Sequence, residues 1–188
     1  MKTALRLAAI ALPLAGLGAI WAMTEYESRQ GTEWDVPIRG YDPRDLLRGH
    51  YVEYVYDWPG LDATRERDRP AWQVDPIERL CIAGFAPVIR TARRLGTGES
   101  AKGCDQVAAA NRYAVYGVED LVRGRLYVSQ DRARRIEAQM RDRNLRGIVR
   151  LRIREDGSVT PVDIRFRPLT AAEIADRDRP ADPEATVE

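Results

Sequence analysis

His50 is the single histidine of the chain, and Asp42 and Asp45 stand shortly before it. With Glu53 they form the one grouping in which carboxylates and an imidazole could share acid–base work. Asp42 and Asp45 also read simply as turn residues that bond their own backbone, since Pro43 lies between them. His50 reads as a strand-face residue, or as a proton-responsive contact that titrates near its ordinary pKa of ~6.5. A nucleophile needs a base beside it. Ser28, Ser100, Ser129 and Ser158 are scattered along the chain, so no triad is spelled out. A metal site needs three or four converging ligands. One histidine and irregularly spaced aspartates between Asp62 and Asp68 do not supply them, and no metal or other cofactor is expected. Gly96 and Gly98 lack the strand, helix and Lys-Ser/Thr of a phosphate loop.

The elements that must position these residues begin with an apolar run from Ala4 to Met23, in which Arg6 is the only charge. About twenty helical residues span ~30 Å, the thickness of a hydrocarbon core. Lys2 and Arg6 lie at its N-terminal side, and Glu25 and Glu27 follow it. The expectation is an uncleaved single-span anchor, with the N-terminus in the cytoplasm and the rest on the outer side of the membrane. The rival is a signal peptide, but the small-residue pattern Gly16-Leu17-Gly18 falls inside the run. Cys81 and Cys104 are the only cysteines, and in an oxidising compartment they are expected to form a disulfide. It would close a loop whose segment Leu95 to Gly103, rich in Gly, Ser and Thr, has little to bury.

Net charge is +1, so no global field recruits nucleic acid, and no nucleic-acid partner is expected. Charge is uneven along the chain. Glu119 to Arg154 holds 11 arginines against 5 acids, and Thr170 to Glu188 holds 6 acids against 2 arginines. The first stretch reads as a solvated face, or as a surface for anionic lipid or an acidic partner. The second reads as a disordered tail, with one helical turn at its start.

Between these ends the patterning is mostly β. Glu33 to Ile38 is a short strand candidate, and His50 to Asp57 is dense in Tyr and Val. Alternation puts Val52, Tyr54 and Tyr56 on one face with His50, and Tyr51, Glu53 and Val55 on the other. Leu80 to Ile82 and Pro87 to Ala92 read as strands around an Ala83-Gly84 turn. Arg112 to Tyr116 and Arg125 to Val128 are further strands. Ser129 caps a helix to about Arg143, with Ala133, Ile136 and Met140 on its apolar side. Ile148 to Arg154 alternates apolar residues with Arg150, Arg152 and Arg154. Asp156-Gly157 signals a hairpin turn. Val159 to Phe166 returns, and Pro161 implies an edge or a bulge. The fold class predicted is α+β: a mainly antiparallel small open barrel or sandwich with one packed helix, behind one transmembrane helix.

The stretch Asp42-Pro-Arg-Asp-Leu-Leu-Arg48-Gly49-His50-Tyr51-x-x-Tyr54-x-Tyr56 resembles the signature of the GDYXXLXY-domain family of bacterial membrane-anchored proteins. Gly31-Thr32-Glu33 and Gly124-Arg125-Leu126-Tyr127-Val128-Ser129 add to the likeness. His50 stands where the family has Asp, and Tyr54 where it has Leu, so a carboxylate acceptor has become a weakly basic ring. With the patterning above, the organisation expected is a transmembrane anchor or uncleaved signal (1–23), a connector (24–40), a periplasmic β-rich domain like that family's (41–169) and an acidic tail (170–188). The resemblance implies a multi-pass membrane protein as partner, and it implies no reaction. A fainter likeness to bacterial signal peptidases is a hint to the fold alone, because the required Ser and Lys are not in place.

The sequence therefore leans away from an enzyme and toward a membrane-anchored accessory domain binding a multi-pass protein or an envelope ligand. Its candidate contact residues are Asp42, Asp45, Arg48, Gly49, His50, Tyr51, Tyr54 and Tyr56. Tyr54 and Tyr56 read as core packing before they read as a platform. The alternatives are an envelope-polymer enzyme using Asp42, Asp45 and Glu53, and a pH or redox sensor using His50 or the cysteine pair.

Overall fold

The computed structural model describes residues 2–39, 51–61, 77–96, 98–110 and 121–178. The expected strand Arg112 to Tyr116 lies outside them, as does most of the polar segment after Gly60. Helix α1 (Lys2–Ser28) takes in the whole apolar run, with Pro13 inside it. Its side chains are described from Ala11 onward, and Leu12, Leu17, Ile20, Trp21 and Met23 are exposed. The described stretch also carries Thr24, Glu25, Glu27 and Ser28. No helix among the described residues is long and apolar enough to cross a membrane. The side chains described in α1 take in only the later part of the apolar run, Ala11 to Met23, with the polar turn that follows it.

Eight strands follow: β1 (Thr32–Arg39), β2 (Tyr51–Tyr56), β3 (Arg79–Phe85), β4 (Val88–Arg94), β5 (Gln106–Ala109), β6 (Arg123–Tyr127), β7 (Leu145–Ile153) and β8 (Val159–Pro168). Two short helices join them, α2 (Gln130–Met140) and α3 (Ala171–Arg177). The strands make one curled half-barrel sheet, mainly antiparallel, rather than the two layers of a sandwich. The described residues thus form an α+β fold with three helices, where the sequence pattern promised an anchor and one packed helix.

Strand β1 organises the sheet. One edge pairs along Thr32–Ile38 with β7. The other edge forks, to β4 in parallel at Asp35↔Val88 and to β2 at Ile38↔Tyr56 and Arg39↔Val55. The order runs β5-β3-β4-β1-β2-β6, with β7 and then β8 on the far edge of β1. Period-two alternation decides which side chains meet inside. Trp34, Val36 and Ile38 of β1, Val52, Tyr54 and Tyr56 of β2, and Val149, Leu151 and Ile153 of β7 fill the core. Ala133 and Ile136 of α2 close over it, and Met140 packs partly against it.

The outward face of β1, β7 and β8 is a ladder of charges. Arg152 Nη2 donates to Glu33 Oε1 at 2.6 Å, and Arg150 Nε to Asp35 Oδ1 at 3.0 Å. Arg165 reaches over β7 to Asp35 at 2.7 Å. Burial pushes the Asp35 carboxyl up, but hydrogen bonds from Arg150 and Arg165 outweigh it and hold the group below its ordinary range. Two arginines of the basic stretch noted in the sequence, Arg150 and Arg152, are thus paired with acids of β1, and Arg132 of α2 pairs with Asp163 of β8.

Three local readings change, and the one at Pro161 holds. The β3–β4 turn falls at Ala86-Pro87, and a register shift occurs at Ala83/Gly84, where the turn was expected. Strand β5 was not expected at all. Pro161 sits opposite the register shift at Arg150/Leu151, which is the bulge its missing N–H requires. Finally, Thr170 to Arg177 is a capped helix and not a lone turn. Thr170 and Glu173 complete a reciprocal capping box, a signal present in the sequence as Thr-x-x-Glu.

Candidate functional site

The motif strand β2 shows two different faces. Asp42, Asp45, Arg48, Gly49 and His50, which lead into it, lie outside the described residues. The inward face carries Tyr54 and Tyr56, whose rings meet edge to face at 5.4 Å between centroids, and Tyr56 stacks in turn on Trp58 at 5.2 Å. Trp58 anchors the column by donating from Nε1 to the Leu121 carbonyl at 2.6 Å. Tyr54 is 1% exposed. Its cross-strand partner is Gly124 of β6. A Cβ at Gly124 would stand 2.7 Å from Tyr54 Cζ and 2.5 Å from Tyr56 Oη. The glycine of the Gly124-Arg125-Leu126-Tyr127 segment is thus the space into which the motif tyrosines pack.

The outward face is open. Tyr51 lies opposite Tyr127, and Glu53 lies opposite Arg125. The Tyr51 and Tyr127 rings sit at 5.9 Å with a 60° interplanar angle. The Arg125 guanidinium lies over the Tyr51 ring at 4.5 Å, with Glu53 Oε1 3.7 Å from its Nη2. Tyr127 is 66% exposed. Together these make a small aromatic patch with one cation stacked on it. Arg125 and Tyr127 were not among the residues singled out from the sequence. Alternation along Arg123–Tyr127 puts them on one face, but only the β2–β6 register brings that face beside Tyr51.

Beyond the other end of β2, the chain lines a cleft of ≈ 830 Å³. Its apolar wall includes Ile38, Trp58, Met140 and Leu145. On its polar side Asp57 accepts from Arg39 on one oxygen and from Arg146 on the other. Glu173 of α3 takes two bonds from Arg167, at 2.6 and 2.7 Å, and one from the Thr170 N–H at 2.8 Å. The Arg167 bonds are the chief cause that holds its carboxyl down at about 2, with burial opposing and the Thr170 bonds adding to the shift. A carboxyl so depressed stabilises the fold fully above its ordinary value of 4.5 and loses that contribution as pH falls toward 2. Glu173→Gln is therefore expected to be less stable than the parent by about 1 kcal/mol at most at neutral pH, because solvent screens the pair. Urea unfolding from pH 7 to 2 should show the two proteins converging below pH ~4.5. A gap that stays constant across that range would rule out the ionised pair as its source.

A family model described as GDYXXLXY protein matches residues 13–164. The chain belongs to the GDYXXLXY family. The match runs from within α1 to within β8, so it takes in both faces of the motif strand and all of β6. Helix α3, with Glu173, follows the matched span. No curated protein and no solved structure matches the chain. Cys81 and Cys104 form the disulfide that the sequence led us to expect, with Cα atoms 5.3 Å apart. Among the described residues, no group of His, Cys, Asp and Glu could hold a metal ion.

Proposed function

We propose that this GDYXXLXY protein is a membrane-tethered, extracytoplasmic accessory domain that binds a multi-pass membrane protein through the outward face of β2 and β6. The observation that carries the reading is the Tyr51–Arg125–Tyr127 patch on the outward face, with Tyr51 and Arg125 half-buried and Tyr127 exposed. Tyr and Arg are the residue types that anchor interfaces, and a monomer gains little by leaving them open. Arg48, Gly49 and His50 precede Tyr51 directly in sequence, with Asp42 and Asp45 before them, and are candidate contacts on that ground. The tether is α1, supported by the apolar run Ala4 to Met23 and by the exposed apolar side chains from Leu12 to Met23. The positive charges at the N-terminal side, Lys2 and Arg6, favour a cytoplasmic N-terminus, and the disulfide suits an oxidising compartment.

The register adds a geometric condition. Strand β1 leads away from α1 for 8 residues, and β2 pairs antiparallel with its far end. Tyr51 lies beyond that end, remote from α1 by more than ~25 Å along the strands at ~3.3 Å per residue. The partner would then be met through a loop or domain that rises above the bilayer. The test is a photo-crosslinking residue at Tyr127 in full-length protein, in native membranes. One multi-pass protein should be captured reproducibly, and Arg125→Glu should abolish the capture in a protein that stays folded at the assay temperature, although Glu53 opposite it lowers the melting temperature somewhat. Capture that survives Arg125→Glu in a folded protein would sink this surface assignment.

A further inference from the structure

The β3–β4 hairpin ends in four consecutive exposed apolar residues, Phe85, Ala86, Pro87 and Val88. Phe85 is 79% exposed and Val88 63%, while Gly84 and Ile89 on either side are buried. Apolar side chains held open at a hairpin tip add nothing to the core, and such patches mark contacts with protein or membrane. Arg90 is exposed beside them, with its guanidinium 5.6 Å from the centre of the Phe85 ring. Its long stem can follow an apolar surface while the charge stays in a polar layer.

The position of the tip favours the membrane. The Asp35 N–H donates to the Pro87 carbonyl at 2.8 Å, three positions after Thr32 opens β1. Strand β4 runs parallel to β1 there, so the residues before Val88 point back toward the start of β1. On the other side the Gly84 N–H bonds Asp105, and Gln106 donates to the Arg154 carbonyl at 2.9 Å. Arg154 follows Ile153, the register partner of Thr32. The tip therefore lies at the end of the sheet where α1 enters. Ser28, the last residue of α1, is tied to that end as well, because its carbonyl accepts from Arg152. Trp21 and Tyr26 are exposed on the last turns of α1, and these are residue types of the headgroup layer. Thr32 stands within ~17 Å of Tyr26 by helical rise and extended reach.

We infer that the Phe85–Val88 tip is a second membrane contact, which inserts its apolar side chains into the interfacial layer of the bilayer beside α1 while Arg90 stays among the headgroups. The inference rests on the reading of α1 as the tether. The contact is apolar in kind, because the β7–β8 turn at the same end sets Glu155 and Asp156 against Arg154 and leaves no basic surplus there to attract anionic lipid. Two points of contact stop the domain from swivelling about residues 29–31.

The chain has two phenylalanines, Phe85 and Phe166. Phe166 is half-buried and pairs with Gly147, which lies opposite Ile38 near the far end of β1. Full-length protein labelled with para-fluorophenylalanine thus carries one fluorine at the tip and one as an internal reference. In phosphatidylcholine nanodiscs doped with a headgroup-chelated gadolinium lipid, the Phe85 resonance should broaden severalfold more than that of Phe166. Ala86→Glu, at an exposed turn position, should remove that excess by placing a charge in the layer, with the Phe166 shift unmoved as the sign of an intact fold. Adding phosphatidylglycerol should leave the excess unchanged. Equal broadening of the two resonances, in protein that floats with the discs, would overturn the tip contact and leave the tether standing. So would an excess that needs the anionic lipid or survives Ala86→Glu. Protein that parts from the discs on flotation would bring down the tether reading, and this inference with it.

Discussion

Tyr54→Ala should cost about 4 kcal/mol of unfolding free energy, while Tyr51→Ala, three residues earlier in the same motif strand, should cost about 1 kcal/mol. The difference follows from the pleat. Tyr54 is fully buried between Tyr56 and the bare backbone of Gly124, so its removal empties a ring-sized volume that the sheet cannot refill by collapse. Tyr51 loses a cross-strand ring contact with Tyr127 and a stacked Arg125, both at the surface. The converse substitution tests the same packing from the other side. Gly124→Val would drive its methyls into the Tyr54 and Tyr56 rings, and should destabilise by about 3 kcal/mol through overpacking. Equilibrium urea unfolding of the three variants measures all of this. If Tyr51→Ala costs as much as Tyr54→Ala, the two faces of β2 are wrongly assigned, and the patch offered here as a contact surface is core.

The face assignment of β2 was legible because it depends only on a period of two, and the same holds for β7 and its turn at Asp156-Gly157. What depended on distant partners was not legible. The arginines of β7 look like a bare basic face when read locally. Their acids, Glu33 and Asp35, stand more than a hundred positions earlier, and only the β1–β7 register sets them side by side. The β3–β4 turn was misplaced because Gly84 is a turn residue by type. The chain instead spends it on a register shift and turns at Ala86-Pro87. Helix α3 was missed for a different reason. Its Thr-x-x-Glu cap was in view, but an acidic setting made the segment read as tail. The cleft could not be foreseen, since it joins the ends of β1 and β2 to the start of β7 and to α3. Of the candidate site, the sequence located the strand and Tyr51. Arg125 and Tyr127 needed the β2–β6 pairing before they could be counted.

Reducing the Cys81–Cys104 bond, or replacing both residues with serine, should lower stability by about 3 kcal/mol on the chain-entropy account, given the separation of 23 residues. The location of the loss is as informative as its size. Strand β5 has four residues, pairs with β3 and is otherwise held by one bridge from Ala109 to Ser158. The bond ties β3 to the entry of β5, where Asp105 also accepts from the Gly84 N–H at 2.8 Å. The enclosed loop adds Glu99, bonded to the Gly96 N–H at 2.9 Å and paired with Arg93, but it buries little. A structural staple should therefore fail locally. Amide exchange should speed up at Val107 and Ala108 and stay slow at Val149 and Leu151, which are centred in the sheet. Faster exchange confined to β3 and β5 is the staple result. A change at Tyr51 and Tyr127 on reduction, beyond what a 3 kcal/mol loss explains, would mean that the bond's redox state reaches the contact face. That outcome would move the disulfide from the scaffold to the regulation of binding.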